Sequence, residues 1–415
     1  MLAGSRFSIE NGRQTMKRIL LGLAIAAASA LTVAAQSLDD LNIQFHGYAT
    51  QGFLYSTANN FFTTKSSNGS PAWDEAVVNM TAQPTPKLRI GVQARYFLLG
   101  NLGNAITLDW AAADYKASDL FGARFGKVKT PSGLFNDIQD IDPSYQWALL
   151  PQSIYPLMSR NSLLAHYGGV VYGTLKLGAK GGKLEYRGWG GERVLPGTDG
   201  YFLNQTENGT TLPNGLGGVT TGAALHWRTP LKGLMIGASN ATDNVWSAGI
   251  IQSVNVGEGV IIPFPGTESL HRFNSPSFFA KYENGKWMLA AEQSRLPVSG
   301  SEVIPGIGVN APFHFDPHSW YGMVSYKLTS KLAAGVYDTQ SFDHQASLGQ
   351  GRYLKDWAIN AHYDFSQFLY AKVEQHFPEG TLSGYDSTLN PPTAGLPTGL
   401  QTNTRLTVLK LGVSF

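Results

Sequence analysis

The 415-residue sequence contains no cysteine. That excludes disulfides, thiolate metal centres and a cysteine nucleophile, and it suits transit through an oxidising compartment. Charged residues make up only 14%, against about 25% in an ordinary globular protein. No apolar run near 20 residues follows residue 36, which excludes a bundle of membrane helices. The sequence has no Gly-x-Ser-x-Gly elbow and no His-x-x-x-His pair. Ser162 and His166 are four residues apart on an expected strand, roughly 13 Å at ~3.3 Å per residue, too far to share a hydrogen bond. Neither enzymatic activity nor a metal or other cofactor is expected.

What the chain does have is glycine (47 residues) and aromatics (18 Tyr, 21 Phe, 9 Trp), with hydrophobics at 43%. In Lys87–Tyr96, Leu88, Ile90, Val92, Ala94 and Tyr96 share one face, and Lys87, Arg89, Gly91, Gln93 and Arg95 share the other. Blocks of about ten residues with this alternation recur, as in strands that cross a membrane.

The N-terminus carries an export signal. Met16-Lys17-Arg18 is a short basic region, Ile19 to about Ala30 is apolar, and cleavage is expected after Ala30 or Ala35. Residues 1–35 therefore comprise an upstream stretch and a signal peptide starting at Met16, and residues 36–415 form one domain. Residues 1–35 hold four basic side chains against Glu10, so the mature chain is close to −1 although the whole is +2. No nucleic-acid partner is implied.

Connections alternate in length. Short turns fall near 83–86, 116–118, 180–182, 229–231, 284–285, 329–330 and 366–367. Longer polar stretches fall near 57–72, 130–161, 195–217, 245–269, 297–316, 344–352 and 379–401, with a brief one at 100–103. Seven turns and eight loops join sixteen strands, with both termini on the short-turn side. Lipid leaves an open sheet edge unsatisfied, so the first strand (Leu41 to about Tyr55) must pair with the last (Thr402–Phe415). The fold expected is all-β, a transmembrane antiparallel up-and-down β-barrel. Tyr115, Phe121, Trp227, Tyr282, Trp287, Tyr326, Phe365 and Phe368 flank the short turns, as an interfacial girdle requires. A barrel of sixteen strands is too wide for side chains to fill and leaves a water channel.

Alternation turns Arg89, Arg95, Arg124, Lys176, Arg187, Arg228, Lys281, Lys372 and Lys410 inward, with Asp109, Glu185, Glu283, Glu292 and Glu374. Asp137, Asp140 and Asp142 cluster in the third loop. If that loop folds inward, its carboxylates face wall arginines across a constriction. The alternative is that the three are turn and cap residues. Tyr145, Trp147 and Tyr155 in the same loop offer either a slide for a solute or, the favoured reading, apolar anchors that pin the loop to the wall.

Three features resemble the sixteen-stranded Gram-negative porins, with a looser likeness to the phosphate-selective porins O and P. They are the closing strand Arg405–Phe415, the run Gly122–Gly133 (GARFGKVKTPSG), and the length and place of loop 130–161. The resemblance implies that the third loop folds into the barrel and narrows it. It implies that Phe415 ends a signal read by the barrel-assembly machinery, and that the protein is a homotrimer set in outer-membrane lipid and lipopolysaccharide. The function implied is passive diffusion of small hydrophilic solutes. The alternatives are a substrate-specific channel for anions or sugars, or a structural or adhesive barrel. The lysine-dense strand and loop of a strong phosphate binder are not present.

Overall fold

A computed structural model describes residues 41–178, 180–393 and 399–415. The export segment and its two cleavage points lie outside them. Sixteen strands form one closed antiparallel ring: β1 Gln44–Ser56, β2 Ser70–Thr85, β3 Leu88–Leu99, β4 Leu102–Lys116, β5 Gly122–Lys129, β6 Ala165–Lys176, β7 Lys183–Leu195, β8 Leu216–Arg228, β9 Leu234–Asn255, β10 Phe273–Asn284, β11 Trp287–Arg295, β12 Pro317–Lys327, β13 Leu332–Asp343, β14 Tyr353–Asp364, β15 Leu369–Gly380 and β16 Leu406–Ser414. Each pairs with the next in sequence, and β1 closes on β16 from Tyr48↔Ser414 to Ser56↔Leu406. The seven short turns, seven longer connections and the brief one between Leu99 and Leu102 fall where the alternation and turn residues place them. No helix among the described residues is long and apolar enough to cross a membrane.

Apolar side chains face outward, as shown by exposed Ile90, Val171, Leu289, Ile359 and Leu411. Trp227, Trp287, Phe365 and Phe368 stand exposed beside the short turns. In Trp287–Arg295 the outward residues are Trp287, Leu289 and Ala291, while Ala290 and Glu292 are buried inside. A single residue of slippage would put every carboxylate on the apolar face, so this alternation fixes the register.

Two expected loops, 245–269 and 297–316, are corrected. They are β-hairpins that extend the sheet beyond the barrel. β9 continues past a bulge at Val245 (φ 55°) to Asn255 and pairs with Ile261–Leu270, which in turn pairs with Val298–Ile304 and, through it, with Val309–Phe315. Their Gly and Pro content reads as loop, yet alternation persists. Trp246, Ala248, Ile250 and Ile304 cluster with Phe202 and Leu212 from the connection between β7 and β8 and with Leu216 at the start of β8.

The seam ends at Phe415. Its backbone N–H donates to Gly47 and its carbonyl accepts from the Gly47 N–H, both at 3.0 Å. The Phe415 ring lies over Gly47, where a Cβ would come within 2.7 Å of it. Gly47→Val should therefore lift Phe415 off the seam. The expected result is a lower melting point of the folded band in unheated detergent gels and slower assembly. An unchanged melting point would show that the terminal ring contributes nothing to closure.

Candidate functional site

The chain leaves β5 at Thr130 and returns at Ala165, and the intervening segment passes through the ring. Its contacts reach inner-face side chains around the circumference. Gly133 N–H donates to Ser239 of β9 at 3.0 Å, Tyr155 donates to Glu292 of β11 at 2.6 Å, and Asn360 of β14 donates to the Gln146 carbonyl at 3.2 Å. Tyr48 of β1 donates to the Asp140 carbonyl at 3.2 Å. Only a segment inside the barrel meets all of these.

Four ionic anchors hold it. Glu374 of β15 accepts the Ala148 and Leu149 N–H groups at 2.6 and 3.0 Å, and also Asn360 at 3.0 Å. Asp142 pairs with Lys372 at 2.9 Å and with Lys410, and accepts from Tyr370 at 2.7 Å. Asp140 pairs with Lys129 at 2.7 Å and accepts from Gln93 at 2.9 Å and Trp110 at 3.2 Å. Arg160 makes a two-pronged pair with Asp109, at 3.0 and 2.8 Å. Two parallel N–H···O bonds fix orientation as well as charge. Burial alone would raise the Asp142 carboxyl, but Lys372 and then Lys410 hold it at about 2, below the ordinary 3.8. Tyr155 is pushed well above its usual range by burial and by Glu292, so its hydroxyl stays protonated and donating.

Apolar contacts finish the seat. Trp147 is fully buried, edge-on to Tyr337 at 4.9 Å, in a slot over Gly335 where a Cβ would come within 2.8 Å of the indole. Tyr155 packs with Phe135 and Tyr321. Ala148 and Leu149 lie against Leu54, Trp73, Leu406 and Val408 of the wall. Here the polar inner face expected of a water-filled barrel is apolar, because the inserted segment covers it and burial of apolar area holds it there.

The constriction residues expected from sequence fall into three groups. Asp140, Asp142, Asp109 and Arg95 are brought together around the segment but are buried. The expected field of loop carboxylates against open wall arginines is therefore corrected. Asp140 and Asp142 are neutralised by lysines, and Arg95 pairs with Glu75 at 2.6 Å. Asp137 alone stays partly open, at 35%, against Arg187 at 23%. Arg124 and Arg89 stand nearer the short-turn rim. Arg124 pairs with Asp114 at 2.9 Å, and Arg89 reaches Thr81 at 3.5 Å. Trp147 and Tyr155 touch wall aromatics and the Tyr145 ring sits 4.5 Å from the Lys372 ammonium, so all three contact the wall. Sequence reasoning did not single out Glu75 or Asn360, and it placed Gln93 on the polar face without giving it a role. Alternation alone places Glu75 beside Val77 and Asn79 on the inner face.

No protein-family model and no curated protein matches the sequence. Solved structures do match the fold. The OmpF porin of Salmonella typhi in complex with daunomycin aligns at TM-score 0.54 and 14% identity, over 92% of this chain and 99% of that one. An anion-selective porin from Comamonas acidovorans aligns at 0.51 and 10%, over 90% and 99%. The outer membrane channel DcaP of Acinetobacter baumannii aligns at 0.51 and 10%, over 92% and 99%. The chain has the fold of the sixteen-stranded outer-membrane porins.

Proposed function

We propose that this protein is an outer-membrane channel through which small hydrophilic solutes diffuse passively, along a narrow route left by the inserted segment. The observation that carries this reading is the inversion of polarity. The closed ring is apolar outside and presents Arg, Lys, Asp and Glu inside, which suits a barrel with lipid around it and water within. The route follows the inner wall of β5–β8, where charged groups keep solvent exposure: Arg124 with Asp114, Arg187 with Asp137, and Arg228 with Glu185. Each arginine is matched by a carboxylate, so the wall does not favour the phosphate-selective reading.

Support for a non-enzymatic role comes from the side chains that would have to act. Ser162 donates to Asp199, while His166 meets Thr130 at 2.9 Å, so the two do not meet each other. A homotrimer fits one feature of the wall. β4 pairs with β5 only from Ala111 to Lys116. Above that stretch exposed Ile106 and Leu108 lie where a second copy would cover them. Insertion by the barrel-assembly machinery acting on the Phe415 strand, with surrounding lipopolysaccharide, completes the reading.

Planar-bilayer recording tests it. Stepwise, weakly voltage-dependent conductance is expected, and a protein that inserts but never conducts at any pH would end the porin reading. Across a salt gradient, Asp137→Asn should shift the reversal potential toward anions and Arg187→Ala toward cations. Unmoved potentials in both would show that ions travel elsewhere.

A further inference from the structure

Charge is not shared evenly between the two ends of the barrel. The eight longer connections hold ten acidic residues against five basic ones. The seven short turns hold five lysines, Lys87, Lys180, Lys232, Lys286 and Lys331, against Asp119 alone. All five lysines are exposed, and among the described residues none of them pairs with a carboxylate. The seventh turn has no lysine. It lies against the chain end, where the Ser414 N–H donates to the Phe368 carbonyl at 2.8 Å beside the terminal carboxylate of Phe415.

At three places a turn lysine meets an outward aromatic at the end of a neighbouring strand. At the end of β4, Tyr115 precedes Lys116, whose N–H donates to the Lys87 carbonyl at 2.8 Å. At the end of β8, the Trp227 indole N–H donates to the Gly181 carbonyl at 2.8 Å, which ties the turn of Lys180 to the turn of Lys232. At the end of β12, the Tyr326 ring lies 4.6 Å from the Trp287 ring and 5.7 Å from the Lys286 ammonium, and the Lys327 N–H donates to the Lys286 carbonyl at 2.9 Å. The local acids differ. Asp119 holds Lys116 at the first place. At the other two Glu185 is taken by Arg228 and Glu283 by Lys281, which leaves Lys180 with Lys232 and Lys286 with Lys327 uncompensated. Exposed Leu225, Leu231 and Leu289 continue the apolar surface beside these two pairs.

We propose that these two lysine pairs are headgroup sites for anionic phospholipid in the periplasmic leaflet. Each pair holds one phosphate, with Trp227 at one site and Trp287 with Tyr326 at the other packed against the glycerol and the first acyl carbons. This rests on the outer-membrane reading above, in which short turns face the periplasm. A lipid fits better than a dissolved anion because the aromatics and leucines lie on the outer surface of the wall, away from the lumen. A lysine beside an apolar surface extends its stem along it and leaves the ammonium at headgroup level. An ethanolamine headgroup brings its own ammonium against the second lysine, so a headgroup of net negative charge is preferred, by about tenfold for two lysines near the surface.

Mass spectrometry of barrels released from bilayer discs of equal phosphatidylglycerol and phosphatidylethanolamine tests this. The native chain should retain up to two phosphatidylglycerol molecules, about tenfold over phosphatidylethanolamine. Lys180→Gln with Lys232→Gln should remove one of them, Lys286→Gln with Lys327→Gln the other, and arginine at the same four positions should keep both. The Lys87→Gln variant should retain as many as the native chain. Equal retention of the two lipids, or glutamine variants that hold phosphatidylglycerol as the native chain does, would overturn the proposal. So would displacement by excess soluble glycerol phosphate, which would make the occupant a dissolved anion. Bilayer current is read separately. Barrels that retain the lipid but carry no current would end the porin reading and leave the lipid sites standing.

Discussion

Glu374→Ala is expected to raise single-channel conductance severalfold and to loosen the fold. The carboxylate is fully buried and accepts two consecutive backbone N–H groups of the inserted segment, the Asn360 amide and the His376 ring at 3.0 Å. Alanine leaves the Ala148 and Leu149 donors without an acceptor in a site shut off from water. Breaking one side of such a buried ionic cluster costs about 3–5 kcal/mol. The chain answers by undocking residues 146–150, since an unpaired N–H is satisfied more cheaply by water than by staying put. Undocking removes Trp147 from its slot over Gly335 and widens the lumen. Glu374→Gln keeps one acceptor and should fall between the two. Denaturant midpoints in detergent micelles read the stability, and bilayer recordings read the width. A variant that loses stability but conducts as before would mean that this part of the segment does not limit flow.

The strand count was legible because lipid enforces it. Period-two alternation and a turn signal at every reversal are obligatory in a closed ring, and β16 shows the alternation over nine residues. The inner positions of Arg95, Asp109, Glu292, Lys372, Glu374 and Lys410 followed from the same alternation. Their partners did not. Asp142 and Lys410 are 268 residues apart and Leu149 and Glu374 are 225 apart, and no local pattern encodes which luminal cation meets which loop carboxylate. One signal was present and unused. Leu54, Trp73, Leu406 and Val408 are apolar at inward positions, and an apolar residue facing the inside of a wet barrel marks a wall that something covers. The hairpins beyond β9 and β11 were obscured for a different reason. Their Pro and Gly content breaks the strand pattern just where the strands leave the region in which lipid demands it.

Asp142 offers the second large effect, and it carries a pH signature. Asp142→Asn leaves the buried Lys372 and Lys410 ammonium groups without the carboxylate that lies 2.9 Å from one and in contact with the other. Lys372 keeps the Asp142 and Trp147 carbonyls at 2.7 and 3.0 Å, but Lys410 is left with Glu75 at 3.9 Å and the face of Trp73 at 4.5 Å. The expected loss is about 3–5 kcal/mol at neutral pH, that of a buried pair with one partner removed. In the native chain the carboxyl is held at about 2 against 3.8, so it contributes roughly 2 kcal/mol that is present above pH ~4 and is lost as the pH falls toward 2. Stability followed from pH 6 to pH 2 should therefore drop at the acid end for the native chain and run lower but flatter for Asp142→Asn. Undocking of the inserted segment is expected only when Asp142 takes up its proton. A native chain that keeps full stability at pH 2 would show that the Asp142 charge does not hold the two lysines.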